Sequence, residues 1–477
     1  MTVLTSERTS PTRTTAAGTE IPGFRGELIT SDHRGYDDAR ALWNGAVDRR
    51  PRLIARCTGA ADIAATVRYA RDRGLEIAVR GGGHNVAGTA GCDDGIVVDL
   101  SAMRAVTVDP AGRTASVQGG ALWGDVDHET QAHGLATTGG IVSHTGVGGV
   151  ALGGGIGWLM RKHGLTVDNV VEVELVTAAG EIVRASADDR PDLFWALRGG
   201  GGNFGIASSF RFALHPIGPA VLAGPVFWAA EDTTDVMRCY RDFIATAPDE
   251  LGTVVRLGAI PPLPVIGEEL HFRPAIAVAS CYAGPPDVGE HVLAALRSFG
   301  TPLVDLVGPT RYVEHQRGID DTVPHGWHYY WKGTNLRALS DDVIDVVAEH
   351  AARARSPRSY AAIFHMGGAV ARVPGDATAY PARGVAHDMS IDAVWLAEED
   401  DALRTAETEW ARDFFDALEP HRAGVYVNFL DADDDADRVH EAYGAETYRR
   451  LAGIKAEYDP DNVFHINKNI TPHPSVT

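Results

Sequence analysis

Residues 75–85, LEIAVRGGGHN, decide how this chain is read. Leu75, Ile77, Ala78 and Val79 follow a glycine turn at Gly74 with no proline, the pattern of a short buried strand. The strand runs into Arg80, Gly81, Gly82, Gly83, His84 and Asn85. Three consecutive glycines carry no Cβ, so the backbone can take φ > 0 and its N–H groups can close on an anion such as a pyrophosphate. A solvent-exposed turn would read the same over GGG alone. A second stretch, GGIVSHTGVGGVALGGGIG at 139–157, argues against that. Flexible glycine linkers carry serine and little else. Here Ile141, Val142, Val147, Val150, Leu152 and Ile156 are interleaved, which predicts a packed segment with its backbone against something flat. The stretch is not GxGxxG after a first strand, so the Rossmann fingerprint does not fit. Two separated glycine loops, one carrying His84, imply a large cofactor held from two sides.

Four motifs stand in order along the chain: RGGGHN at 80–85, GVGGVALGGGIGWLMRKHGLTVDNV at 146–170, LFWALRGGGGNFGI at 193–206, and YDPDNVF with INKNI across 458–470. From about Arg50 to Ile470 the chain resembles the berberine-bridge-enzyme-like flavoproteins of the vanillyl-alcohol-oxidase/PCMH superfamily. The resemblance implies an α+β fold. A PCMH-type two-part FAD-binding domain would occupy residues 21–216, and a substrate domain 217–435, its antiparallel sheet covering the flavin with helices behind. Residues 436–477 would return to the FAD domain, and 1–20, rich in Thr and Ser, would be a loose tail.

The same resemblance implies FAD tethered through its 8α-methyl to His84. Many members add a cysteine tether four residues before GVGG; that position is Val142, so a single covalent bond is expected. Arg80, Gly81, Gly82, Gly83 and Asn85 would hold the pyrophosphate and ribitol. Gly140, Ser143, Gly148, Gly149, Gly153, Gly154 and Gly157 would bring backbone against the dinucleotide. Gly205 and Ile206 would lie on the adenosine side, and Tyr426, Asn428 and Asn467 beside the isoalloxazine. His144 and Thr145 would face the reactive centre. In the family the residue before GVGG gates oxygen, and Thr145 is small enough to admit O2 while adding a hydroxyl. The tyrosine that many members use as base, fourth in YxNY, is Phe429 here, which cannot take a proton. The upstream glutamate or glutamine of other members aligns to Ser390. Tyr329, Tyr330, His365 and His387 remain available in the same half, and the expected catalytic set is Thr145, Tyr330, His387 and Tyr426.

Charge and composition narrow the classes. Lys and Arg total 43 against 64 Asp and Glu, a net charge of −21, which disfavours nucleic acid and anionic lipid as partners. No apolar run approaches a membrane span, and the first twenty residues have no hydrophobic core of a secretion signal. Cys57, Cys92, Cys239 and Cys281 are scattered without CxxC spacing and read as reduced thiols of a cytoplasmic protein. No HxxxH, HExxH or GxSxG occurs, so neither a metal site nor a nucleophile elbow is expected.

Along the chain, 51–79 reads as a βαβ unit, 95–120 as further strands, and 121–133 as a helix. Residues 170–186 and 208–214 continue the strands, and the proline- and glycine-rich 216–228 reads as a crossing between domains. Helices at 233–248, 291–300 and 341–355 alternate with strands at 275–283 and 360–368, and VYVNFL at 425–430 reads as a last strand. The whole points to an oxidase that removes hydride from a small secondary metabolite (an alcohol, an amine or a phenol-activated C–H) to flavin N5, with O2 reoxidising the flavin to give H2O2. The partners would be that substrate and O2, and the protein a monomer or homodimer. A flavin-dependent oxygenase and a flavin carrier without turnover are the alternatives.

Overall fold

The computed structural model describes residues 20–218 and 220–473, so the expected tail lies outside the described residues but for Glu20. The first sheet places the RGGGHN loop. Strands β1 (Glu27–Ile29), β2 (Leu53–Arg56), β3 (Ile77–Arg80) and β4 (Ile96–Asp99) lie in the order β1-β2-β4-β3. Helix α1 (Ala60–Asp72) links β2 to β3, and both strands run parallel to β4. On α1, Ile63, Val67 and Ala70 recur at helical spacing and are fully buried against Leu53, Ala55, Ile77, Ile96 and Val98. The loop after β3 therefore leaves the carboxyl end of a parallel sheet, where α/β folds open a crevice for ligands.

A second sheet, order β5-β6-β9-β7-β8, contains β5 (Val106–Asp109), β6 (Thr114–Gln118), β7 (Val170–Val176), β8 (Ile182–Ser186) and β9 (Ile206–Ala213). Between β6 and β7 lie α2 (Trp123–Gln131) and α3 (Val147–Gly153). The second glycine stretch thus holds a short helix. Its Val147, Ala151 and Leu152 are buried, the packed behaviour that its interleaved aliphatics require.

The C-terminal half is built on an eight-stranded antiparallel sheet. Its strands are β10 (Ala220–Ala229), β11 (Leu251–Ala259), β12 (Pro274–Tyr282), β13 (Val304–Asp305), β14 (Gly308–Arg311), β15 (His328–Leu336), β16 (Tyr360–His365) and β17 (His387–Trp395). The order is β13-β10-β12-β11-β16-β17-β15, with β14 also on β10. Alternation decides what each face carries. Val255 and Leu257 of β11, Ala361 and Ile363 of β16, and Met389, Ile391 and Ala393 of β17 pack against helices. Those helices are α4 (Thr233–Ile244), α5 (Pro286–Arg297), α6 (Asp341–Ala351) and α7 (Asp401–Ala417). The intervening residues face the N-terminal half.

Two readings of the sequence are corrected. Residues 216–228 are not only a crossing, because β10 begins at Ala220 and runs through Pro225. Proline is tolerated because β10 has no continuous partner on that side: β14 pairs Ala220–Ala223, and β13 pairs Val226 and Phe227. VYVNFL is not a strand. Its ladder ends at Gly424, whose carbonyl accepts from Asn335 N–H while Ala423 N–H donates to the Asn335 carbonyl, and Val427–Phe429 is a single 3-10 turn. A Cβ on Gly333 would lie 2.6 Å from that of Phe429, so the turn crosses over β15 instead of extending beside it. Helix α8 (Ala436–Tyr458), kinked at Gly444, then leads the chain back. Phe464 joins the core under α1, and Ile470 N–H donates to Asn203 at 2.9 Å.

Candidate functional site

A cavity of about 420 Å³ separates the glycine loops from the inner face of the large sheet. Its N-terminal wall is backbone. A Cβ on Gly82 would stand 2.4 Å from Gly146 N, and one on Gly146 would stand 2.3 Å from Gly82 N. The two glycine stretches therefore cross in direct backbone contact, which only a pair of glycines permits. Gly81, Gly82, Gly83, His84, Asn85, Gly140, Thr145, Gly148, Gly149, Gly205 and Ile206 line the cavity, as do Tyr426, Asn428 and Asn467. The structure thus brings these expected residues together around one cavity.

Six others are not among them. Arg80 turns away: its Nη2 lies 2.7 Å from the fully buried Asp99, its cross-strand partner, and Nη1 donates to the carbonyl of Ala39. It braces β3 against β4 rather than reaching into the cavity. Ser143 is taken by Asp320, which accepts both its N–H, at 2.9 Å, and its hydroxyl. Gly153, Gly154 and Gly157 face protein, since a Cβ there would meet Asn428, Tyr380 with Tyr426, and the Gly139 carbonyl respectively. His144 is absent from the cavity wall but touches it through His84.

The catalytic set fares worse. Tyr330 shares the β15 phase that points to the helices, where its hydroxyl donates to Asp433 at 2.8 Å and accepts from Arg412. Burial pushes its phenol further up, away from any role as base. His387 has the phase of the helix-facing Met389, is buried, and stacks on His365. Tyr329 shares a stack with Trp43 at 3.7 Å and donates to the Pro324 carbonyl. Tyr426 lines the cavity, but its hydroxyl accepts Gly155 N–H at 2.8 Å and Asn428 Nδ2 at 2.7 Å, and burial raises its pKa as well. It holds the Gly153–Gly155 run of the second glycine stretch in place.

His84 is set by its neighbours. Its ring stacks on Trp43 with centroids 4.3 Å apart, and its Nε2 lies 2.8 Å from His144 Nδ1. Burial first, and the imidazoles of His144 and His325 second, hold its pKa well below the usual histidine range. His84 is therefore neutral at pH 7 and keeps a lone pair for bonding. Sequence spacing gave no metal ligands, yet the fold brings His84, His144 and His325 within 4.8 Å of one another, close enough to hold an ion. No spacing rule reaches across 241 residues of chain.

The sheet side brings Ser390 of β17 and Phe429, both singled out in the sequence, onto the cavity wall. It adds residues that sequence reasoning missed: Arg256 of β11, Tyr360 and Phe364 of β16, Asp392 of β17 and Trp331 of β15. Asp392 is 1% exposed and accepts one hydrogen bond, from Ser390 Oγ at 2.6 Å. Burial pushes its carboxyl up to about 7 against that bond. The signal was present in HDMSIDAVW: the aliphatic phase of the strand leaves Ser390 and Asp392 together on the opposite face.

A family described as an FAD binding domain matches residues 51–186, and one described as berberine and berberine like matches 425–471. (R)-6-Hydroxynicotine oxidase of Paenarthrobacter nicotinovorans is 34% identical over 466 residues, covering 95% of this chain and 98% of that protein. The chain belongs to the berberine-bridge-enzyme-like FAD-linked oxidoreductases. The crystal structure of 6-hydroxy-D-nicotine oxidase from Arthrobacter nicotinovorans matches this berberine-bridge-like enzyme with a TM-score of 0.86 and 31% identity. The match covers 96% of this chain and 100% of that one. Glucooligosaccharide oxidase of Sarocladium strictum is 29% identical over 474 residues, 92% of this chain and 91% of that protein. The enzyme is an FAD-dependent oxidase. A hydroxynicotine and an oligosaccharide are chemically unlike, so membership leaves the substrate to the site itself.

The residues present fit FAD. The side-chain-free backbone of Gly81, Gly82, Gly148, Gly149, Gly201 and Gly202 opens on one cavity, and Asn467 Oδ1 nearby is buried without a partner. Val142 lines the cavity as well, and none of the four cysteines does. Among the described residues, no helix of this berberine-bridge-like oxidase is long and apolar enough to cross a membrane.

Proposed function

We propose that the enzyme holds FAD through a single bond to His84 and oxidises a small, largely aromatic alcohol or amine of secondary metabolism. Residues 21–216 with 436–477 would hold the flavin, and 217–435 the substrate. FAD, when bound, accepts the hydride of the substrate C–H at N5 and is reoxidised by O2, giving H2O2. His84 would bond through Nδ1, because Nε2 is engaged by His144. Val142 offers no second sulfur. Trp331, Tyr360, Phe364 and Phe429 would sandwich a flat substrate and keep water out. Asp392 would take the O–H or N–H proton, with Ser390 fixing the carboxylate by donating to Oδ2.

The single observation that carries this reading is the placement of Asp392: a buried carboxyl, held by Ser390, on the aromatic wall of a cavity where Phe429 offers no proton acceptor. The test is a peroxide assay over a panel of aromatic alcohols, aromatic amines and plain oligosaccharides. The expected result is turnover of the aromatic compounds with stoichiometric H2O2, and weak activity on sugars. Efficient oxidation of simple sugars alone would refute it. The four free cysteines, three of them buried, support the cytoplasmic reading.

Thr145 lines the cavity one residue before Gly146, which supports its role as an oxygen gate. Thr145→Leu should slow reoxidation of the reduced enzyme by about tenfold or more while leaving reduction within about threefold, as expected when bulk blocks one reactant only. Stopped-flow measurement of the two half-reactions separates them. Equal loss in both would mean that Thr145 shapes the substrate site. An oxygenase, the second reading, would place labelled O2 in the product in place of peroxide.

A further inference from the structure

Arg256 is a cation in an unusual position. It stands between Val255 and Leu257, whose side chains are buried among the helices, so alternation puts its guanidinium on the cavity face. There Nη1 donates to the Ala259 carbonyl at 2.7 Å, and the guanidinium lies 4.4 Å from the centre of the Tyr360 ring. Among the described residues no carboxylate forms an ion pair with it, although arginines elsewhere in the buried parts of the chain, such as Arg80 and Arg383, are paired. A guanidinium carries five N–H donors in a planar fork, and this one lines the cavity with a single hydrogen bond recorded, to the Ala259 carbonyl. Burial lowers its pKa, and the attraction of Tyr360 and Asp392 only partly offsets that cost.

The register supplies the spacing. Arg256 pairs with Ala362, Ala362 with Ser390, and Ser390 with Gly333, so all four stand in one row across four strands. The small side chain of Ala362 leaves a trough between Arg256 and Ser390, and Phe429, lying over Gly333, closes it on the far side. Arg256 and Ser390 are two strands apart, about 10 Å at the usual strand separation, which is the span of one substituted ring. Tyr360, under the guanidinium, is the cross-strand partner of Asp392. The acid and the cation thus stand at opposite ends of a slot with an aromatic floor.

We infer that Arg256 is a substrate oxyanion site, and that the substrate class is a ring-bearing carboxylate or phenolate whose oxidisable CH–OH or CH–NH group lies across the ring from that oxyanion. This deepens the proposed function and rests on its placement of the substrate on the sheet face. The fork of Arg256 binds the oxyanion bidentately and sets the opposite carbon beside Asp392. In the reaction the C–H bond breaks with its electron pair passing to FAD, and the O–H or N–H proton passes to Asp392. The carbon becomes a carbonyl or imine, and O2 leaves with the two electrons and two protons as H2O2.

The experiment uses the FAD-loaded enzyme. Benzoate, which cannot turn over, should perturb the visible flavin spectrum saturably, and benzamide should do so far more weakly. In Arg256→Met the benzoate response should disappear, with FAD content and the resting spectrum unchanged. For turnover, para-hydroxymethylbenzoate should exceed para-methylbenzyl alcohol in kcat/KM by about 10- to 100-fold, the factor for one charge-assisted pair. Arg256→Met should remove that preference by raising KM for the carboxylate only, and Arg256→Lys should restore part of it. Equal kcat/KM for the two compounds in the wild type, or equal losses on both in Arg256→Met, would overturn the assignment. So would loss of FAD or a shifted resting spectrum in Arg256→Met, which would make Arg256 a cofactor contact. Arg256-dependent benzoate binding without turnover of any alcohol would uphold this site while defeating the proposed reaction.

Discussion

Asp392→Asn is expected to lower the rate of flavin reduction by about 10²- to 10⁴-fold, the usual contribution of a positioned general base. Asparagine keeps the shape and can still accept from Ser390, but it cannot take a proton. The effect should be largest on reduction, the half-reaction in which the substrate O–H or N–H proton is removed. Folding gives an independent control. A carboxyl raised from 3.8 to about 7 contributes stability that is complete at low pH and is lost as pH rises through about 7. Above that pH the wild type keeps a buried anion that the variant lacks. Asp392→Asn should therefore match or exceed the wild-type Tm at pH 8 while losing activity, which separates lost chemistry from lost structure. A variant that reduces its flavin at the wild-type rate would show that the proton leaves by another path.

The second large effect is at His84. After acid precipitation the wild-type flavin should stay in the pellet, and the tryptic peptide containing His84 should carry the mass of FAD. In His84→Ala all flavin should appear in the supernatant. The variant should still bind FAD before denaturation, because the crossing of Gly82 with Gly146 and the open backbone of Gly148 and Gly149 owe nothing to the imidazole. The bond, if formed, would join an imidazole nitrogen of His84 to the 8α carbon of FAD, with the two protons and two electrons released going to O2 as H2O2. The low pKa of His84 keeps the required lone pair available at neutral pH, and the Trp43 stack holds the ring in one orientation. Flavin released freely from the wild type would defeat the single-tether reading.

Much of this was legible in the sequence where local pattern and physics agree. The strand before RGGGHN, the helix with Ile63, Val67 and Ala70 at helical spacing, and the packed second glycine stretch all follow from periodicity and missing Cβ atoms. The family resemblance placed His84 and Thr145 on the cavity. Failures cluster where orientation depends on distant strands. Arg80 sits in the right motif, yet Asp99 on the parallel neighbour claims it. Tyr330 and His387 sit on the right strands in the wrong phase, and a one-residue shift in phase sends a side chain to the other face. The same alternation, applied to VVRLG and MSIDAV, would have selected Arg256 and Asp392 in their place. VYVNFL has strand composition throughout, but no local signal reveals that the chain turns across Gly333.

The most direct test of the central claim is the pH dependence of flavin reduction under anaerobic mixing with para-hydroxymethylbenzoate. Wild type should show a rate that rises with pH through an apparent pKa near 7 and then levels, since Asp392 accepts a proton only when ionised. Asp392→Asn should be slow and flat across the same range. A wild-type rise that persists unchanged in Asp392→Asn would contradict the assignment of this carboxylate as the base.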